Sequence, residues 1–214
     1  MHPCLTITAG VNAVTDPDFP PKEKILAQTW MCRNAEKILD SCKYSIEAFD
    51  IFGTALTGQQ RARMLGGTIT ALLEAMPSCR AGFFLPSKKI MTREGMLFFT
   101  RSYESRFLDY AVNFRLYNRP DTPYILLDTL GMQVLSMPDV QYFFKDINPR
   151  AMMIHARSML DLLMDEKNPI QDNDLCDSIR DFEFNRDVVW SMHYDSSVMD
   201  PPRDVIWWIP TIRF

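Results

Sequence analysis

The chain has 214 residues, with 23 Lys and Arg against 27 Asp and Glu and a formal net charge of −4. Its few neighbouring cations, Arg80, Lys88, Lys89 and Arg93, are scattered among apolar residues, so nucleic acid is not expected as a partner. A hydrophobic share of 47% with 12% aromatics suffices for a sizeable core, and the length favours a single domain spanning 1–214.

Cys4 to Val14 is β-branched and partly alternating, which predicts a strand broken near Gly10. Asp16-Pro17 and Pro20-Pro21 make a loop. Ile25, Leu26, Ala35, Ile38, Leu39 and Cys42 carry helical spacing, with Asn34 available as a second N-cap after Trp30. Tyr44 to Phe52 alternates apolar and polar residues as a strand does. Thr57 to Met76 is the clearest helix: Thr57 and Gln60 form a T-x-x-Q capping box, and Pro77 prevents continuation. Leu65, Ile69, Leu72, Leu73 and Met76 make its apolar stripe. Gly66-Gly67 in mid-helix costs about 1 kcal/mol per glycine against alanine, which points to close packing against a sheet or to a ligand contact.

Arg80 to Leu85 reads as a short central strand. Between Ser87 and Tyr117 the pattern is mixed. Met96 to Phe99 and Phe107-Leu108 suit a helix, and Ala111 to Tyr117 alternates with Val112, Phe114 and Leu116 opposite Asn113 and Arg115. After the turn Asn118-Arg119-Pro120-Asp121, strands are predicted at Tyr124 to Asp128 and Val140 to Phe144. Asn148-Pro149 starts a helix, with asparagine as cap and proline at the first helical position. Met152, Ala156, Met159, Leu160 and Leu163 are its buried stripe, and it stops before Asn168-Pro169. An acidic turn follows from Asp172 to Asp177. Strand-like runs Asp187 to Tyr194 and Arg203 to Ile209, separated by Pro201-Pro202, close the order. Irregular alternation with paired strands in the middle and at the end predicts an α+β fold, with a mixed, mostly antiparallel sheet and helices packed on one face.

Cys4, Cys32, Cys42, Cys79 and Cys176 form no C-x-x-C pair, as expected of reduced thiols rather than a disulfide frame or zinc site. The first residues lack a basic stretch ahead of an apolar run, so no signal peptide is expected. No apolar window reaches the roughly 20 residues of a spanning helix, so no membrane insertion is expected and the cytoplasm is the default compartment.

Few residues invite chemistry. With Asp172 at position 1 of a calcium loop, Glu183 falls at position 12. Position 5 is then Cys176, a poor oxygen donor, and position 6 is Asp177 where glycine is needed, so a solvated turn is the better reading. His2, His155 and His193 lack metal-ligand spacing, and His155 reads as a boundary residue beside its helix stripe. His193 lies near Asp195, Ser196 and Ser197, but a serine nucleophile would need a G-x-S-x-G turn, which is absent. No Walker A or G-x-G-x-x-G occurs. Neither a cofactor nor a metal is expected. In Val205-Ile206-Trp207-Trp208-Ile209 both faces of a strand are apolar, which means either a sandwiched core strand or one resting against a partner.

The order of short motifs carries a resemblance. Gln28-x-Trp30 precedes a helix with Ala35 and Cys42. Arg61 and Leu65 follow a strand ending near Asp50. Pro77-x-Cys79-x-Ala81 with Ser87, Asp128-Thr129-x-Gly131 and Met137-Pro138 come next, then Asp174-x-x-Asp177-Ser178, Tyr194-x-Ser196 and Pro202-Arg203-x-Val205. Together, from about Ile25 onward, the chain resembles the bacterial domain-of-unknown-function 4261 family. It departs at Leu175 and Cys176, where the family's acidic turn has glycines. The family supplies no established activity; its association with toxin and secretion genes implies at most an immunity or adaptor role.

Three functional expectations follow. The first is a non-catalytic, cytoplasmic protein-binding domain, an immunity or adaptor protein, with Ile206, Trp207 and Trp208 as the partner-binding residues and no catalytic residue. The second is an uncharacterised, hydrolase-like enzyme with a site near His193 and Asp177, drawing on Arg61 and Asp128. The third is a homodimer with a structural role.

Overall fold

The computed structural model describes residues 6–13, 21–27, 29, 31–51, 53–98, 101–165, 169–180 and 182–211. His2, Cys4, Gln28, Trp30, Phe52, Phe99 and the loop around Asp16-Pro17 lie outside the described residues, as do the side chains of the first strand. The chain divides into two compact units, Met1–Ala111 and Val112–Phe214.

In the first unit, β1 (Thr6–Ala13) pairs antiparallel with β2 (Tyr44–Ile51), running unbroken through Gly10 opposite Glu47. The helical stretch between them is two short helices, α1 (Lys22–Leu26) and α2 (Ala35–Ser41). Asn34 sits at the cap position of α2 but its side chain makes no capping bond. Ile25, Cys32, Ala35 and Ile90 form one small core.

Helix α3 (Gly58–Ala75) starts on the expected capping box, with Thr57 Oγ1 accepting from the Gln60 N–H and Gln60 Oε1 accepting from the Thr57 N–H. Its buried positions are Ala62, Gly66, Thr70 and Leu73, a stripe rotated toward smaller side chains than hydrophobicity alone selects. The reason is a close neighbour. A Cβ on Gly66 would stand 2.2 Å from the backbone oxygen of Tyr103, the first residue of α5 (Tyr103–Ala111). The glycine therefore admits a helix, and the sheet expected there is replaced by α5.

The predicted central strand is β3 (Ala81–Phe84), one arm of a two-stranded hairpin with β4 (Lys89–Thr92). Short helix α4 (Arg93–Phe98) follows. Leu73, Met96 and Tyr110 form a second core, and the Tyr110 hydroxyl donates to the Met96 carbonyl at 2.6 Å.

The second unit is built on one six-stranded sheet. Its strands are β5 (Asn113–Asn118), β6 (Ile125–Leu130), β7 (Asp139–Phe144), β8 (Leu175–Arg180), β9 (Glu183–Ser196) and β10 (Asp204–Thr211). Their order across the sheet is β5-β6-β7-β10-β9-β8, and only β7 and β10 run parallel. The fold is α+β with a mixed, mostly antiparallel sheet, as the alternating segments predict. β8 is not announced by the sequence pattern: the acidic turn runs directly into it.

Helix α6 (Pro149–Leu163) begins as expected, with Asn148 Oδ1 accepting from the Arg150 N–H at 2.9 Å and Pro149 in the first turn. It covers the sheet face that carries Tyr142 and Trp208. His155, expected at the boundary, is 1% exposed on that face. Its Nε2 lies 2.9 Å from the Asp177 carbonyl oxygen, which can only accept, so Nε2 carries the proton and Nδ1 accepts from the Tyr142 hydroxyl at 3.3 Å. Burial pushes the imidazole below the ordinary histidine range, against a smaller upward pull from the Asp177 carbonyl. His155 thus stitches α6 to β7 and β8 as a neutral group.

Strand β10 is packed on both faces. Trp208 stacks on Tyr142 at 5.4 Å under α6, while Trp207 stacks on Phe143 at 5.1 Å in a cluster with Leu126 and Val205. Ile206 and Trp208 are 0% exposed and Trp207 8%. The three residues expected at a partner surface therefore pack as the centre of the sheet, and a partner would reach them only if the sheet opened.

Candidate binding groove at one end of the large sheet

Strand directions gather the scattered motifs. β6 runs against β7, β10 runs with β7, and β9 runs against β10. The end of β6, the start of β7, the end of β9 and the start of β10 therefore meet at one end of the sheet. Asp128-Thr129-x-Gly131, Met137-Pro138, Tyr194-x-Ser196 and Pro202-Arg203-x-Val205 occupy those four places.

Beneath this end lies a buried polar network centred on Arg203. Its Nε donates to Asp139 Oδ2 at 3.0 Å. Nη2 donates to Asp128 Oδ1 and, at 2.6 Å, to the Thr129 carbonyl. Nη1 reaches Ser197 Oγ, the Met199 carbonyl and the Pro201 carbonyl at 2.9–3.1 Å. Every guanidinium proton has an acceptor. Asp128, 0% exposed, also accepts from Arg115 through Oδ2 and from Gln141 Nε2 through Oδ1. Two arginines and two aspartates thus cancel in a region where each isolated ion would cost several kcal/mol.

The loop between β9 and β10 depends on this network. Pro201 and Pro202 have no N–H to donate, and the loop carbonyls are taken instead by arginine side chains, with Arg115 Nη1 donating to the Asp200 carbonyl at 3.0 Å. Asp139 organises the opposite wall. It accepts from Thr129 Oγ1 at 2.9 Å and from the Gly131 and Met132 N–H groups at 3.3 Å. Gly131 has φ 139, where a side chain would be strained. Burial raises the Asp139 carboxyl to about 6, opposed chiefly by the Arg203 charge.

Over the network lies a groove of about 720 Å³ whose lining includes Met137, Pro138, Tyr194, Asp195, Pro202 and Asp204. The acidic turn holds its aromatic wall: the Tyr194 N–H donates to Asp172 Oδ1 at 3.0 Å and its hydroxyl to the Ile170 carbonyl at 2.9 Å. Burial, then the charges of Asp174 and Asp172, raise the Tyr194 phenol above its ordinary value. Asp174 itself accepts from the Gln171 N–H. Glu183 lies beyond β8 in the next strand, so the twelve-residue calcium loop does not form.

Within the second unit, the residues considered for an enzyme are not brought together. In the second unit Asp128, Gln141, Trp207 and His193 occupy one row across the sheet. Asp128 and His193 are therefore three strand steps apart, about 14 Å. Asp177 faces Arg186 at 3.7 Å. In the first unit Arg61 makes a two-pronged bond to Asp50 at 2.7 and 2.9 Å. Ser197 is engaged with Gln141, Arg203 and Met199.

His193 does meet a serine, though not one near it in the expected turn. Its Nε2 is 2.8 Å from Ser191 Oγ, and its Nδ1 is 3.9 Å from Asp172 Oδ1. The order resembles a Ser-His-Asp relay, but 3.9 Å is too long for the hydrogen bond that orients the imidazole. Ser191 also sits mid-strand, paired with Ile209 on one side and Leu175 on the other. Its neighbouring amides are committed to the ladder, which leaves no oxyanion donor pair. Cys176 Sγ is 3.9 Å from His155 Nε2. That nitrogen already donates to a carbonyl, and burial pushes the thiol to about 12, which keeps the pair inert.

Arg115, Asp139, Gln141 and Ser191 went unmarked in the sequence. Only the polar alternation Asn113-x-Arg115 hinted at them. Among the described residues no helix is long and apolar enough to cross a membrane. No curated protein and no solved structure matches the chain. A family model described as Domain of unknown function (DUF4261) matches residues 128–209, a stretch that contains the groove and all of the network except Arg115.

Proposed function

We propose, for a chain whose residues 128–209 match the DUF4261 family model, a non-catalytic protein-binding function exerted through the groove at the sheet end. An immunity or adaptor protein of a bacterial toxin or secretion system, working in the cytoplasm, is the setting this reading expects. One observation carries it. Motif stretches around Met137, Tyr194 and Pro202 converge on a groove whose floor residue Arg203 is saturated by a polar network that reaches Asp128, 75 residues away. Such a floor fixes the groove walls and leaves no spare nucleophile or acid, which suits a preorganised binding surface.

Photo-crosslinking tests the reading. A crosslinker placed at Ser136 or Asp204 in the native host is expected to give one discrete adduct, and the same group at Asn118, on the far edge strand, none. Equal adducts from both places would overturn the assignment. Light scattering on the purified chain distinguishes a homodimer from a heterologous partner.

The Ser191–His193 contact at 2.8 Å favours a second reading, a hydrolase. It predicts covalent labelling by a fluorophosphonate, lost in Ser191→Ala. The binding reading predicts no labelling.

A further inference from the structure

We infer that the groove receives an extended peptide segment bearing arginine or lysine, supplied by a partner protein; this rests on the binding reading above and names its chemistry. The groove's charge is one-sided. Asp195 and Asp204 lie diagonally across the β9–β10 pair, since Asp204 faces Ser196 and Val205 faces Asp195. Side chains alternate along a strand, so the two carboxylates bracket the sheet end from opposite faces. Neither is ion-paired among the described residues.

Arg203 is the one cation in the lining, and its side chain is 2% exposed with every donor engaged inward. A guanidinium or ammonium entering the groove therefore meets two carboxylates with no resident cation, Asp195 keeping one oxygen on the Ser196 N–H at 2.6 Å. A third carboxylate, Asp172, stands behind Tyr194 and is fixed by the Tyr194 N–H. The Tyr194 ring, half exposed and pinned at its backbone and hydroxyl, offers a face for a cation. Met137, Pro138 and Pro202 supply apolar surface for aliphatic stems. An anionic segment would meet the same carboxylates and be repelled.

The test is fluorescence anisotropy on the full chain with labelled nonapeptides of alternating glycine and arginine, glycine and lysine, glycine and serine, and glycine and glutamate. The two cationic probes are expected to bind, more weakly as salt rises, and the other two not to bind. Asp195→Asn and Asp204→Asn are each expected to weaken binding about two- to five-fold, the range of an exposed ion pair. Asp121→Asn removes the same charge from a distant turn, at a left-handed position that asparagine tolerates, and is expected to leave binding unchanged. Equal loss in all three variants would mean general attraction to an acidic protein, which overturns the inference. If the glycine–serine probe binds and shifts the Tyr194 and Ser196 amide resonances, the groove binds peptides but the cationic preference falls. If no probe binds, both the preference and the groove reading fall.

Discussion

Replacing Arg203 with methionine gives the sharpest test of how the second unit is held together. Methionine keeps most of the length and apolar stem but removes six hydrogen bonds, to Asp139, Asp128, Thr129, Ser197, Met199 and Pro201. Asp128 retains Arg115 and Gln141. Asp139 retains only neutral donors, and its charge becomes an uncompensated ion in a fully buried place. Breaking such a pair by removing one partner costs about 3–5 kcal/mol, about a fifth or more of a total stability of about 5–15 kcal/mol. The carbonyls in the β9–β10 loop add less, because the loop can move toward water. Three of the four tryptophans, Trp190, Trp207 and Trp208, belong to this unit, so tryptophan fluorescence during urea denaturation reports mainly on it. Arg203→Lys keeps the charge but cannot span two carboxylates and three carbonyls, and is expected to fall between parent and Arg203→Met. Combining Arg203→Met with Asp139→Asn should cost less than the sum of the two by about 0.5–3 kcal/mol, the coupling of groups in contact. A loss below about 1 kcal/mol in Arg203→Met, against the 3–5 expected for a broken buried pair, would refute the reasoning.

Three further outcomes are expected. Gly66→Ala should destabilise by about 1–3 kcal/mol as an overpacking substitution, because its new Cβ meets the fixed Tyr103 carbonyl. Gly67→Ala, whose Cβ would meet the Tyr103 ring at an ordinary 3.8 Å, should be neutral or gain up to about 1 kcal/mol; thermal melts of the pair decide. Thr57→Ala should cost about 1 kcal/mol by removing one side of the capping box, read as loss of helical circular dichroism at lower temperature. In acid, His155 and Asp139 should oppose one another. His155 titrates below its unfolded value, so its contribution is full above about 6.5 and is lost as pH falls. Asp139 titrates above its unfolded value, so its contribution is full below the ordinary 3.8 and is lost as pH rises through about 6. Relative to the parent, His155→Phe should therefore lose less stability from pH 7 to pH 5, and Asp139→Asn should lose more. Identical slopes in all three proteins would count against both assignments.

Local chemistry made some elements legible. The Thr57 box, Asn148-Pro149 and the alternation of β5 each fix an element through neighbours a few residues away, so the sequence states them openly. The stripe of α3 misled because hydrophobicity ranks leucine above glycine. A helix approaching to backbone contact at Gly66 selects the reverse. β8 was concealed because an edge strand need satisfy only one neighbour, and Leu175, Asp177 and Ser178 carry no strong alternation. The polar network lay furthest from view. Arg115, Asp128, Asp139 and Arg203 become neighbours only when the register of four strands is known, and a charged residue in sequence looks the same whether buried or solvated. The tryptophan pair reads as an apolar strand in the sequence; its central position explains why it packs rather than presents itself.

That central position has a consequence for how the chain can be made. During synthesis β5, β6 and β7 leave the ribosome first, as a three-stranded meander with one long edge open. The strand that must sit against that edge is β10, which ends at Thr211. The hairpin of β8 and β9 is translated before it but lies beyond it in the sheet, with no place to dock until β10 arrives. The second unit therefore cannot close piece by piece as its strands appear. It must wait for residue 211, holding an unpaired β7 edge and the Phe143 face exposed until then. A nascent chain stalled just short of β10 should be the form of this protein most in need of a chaperone.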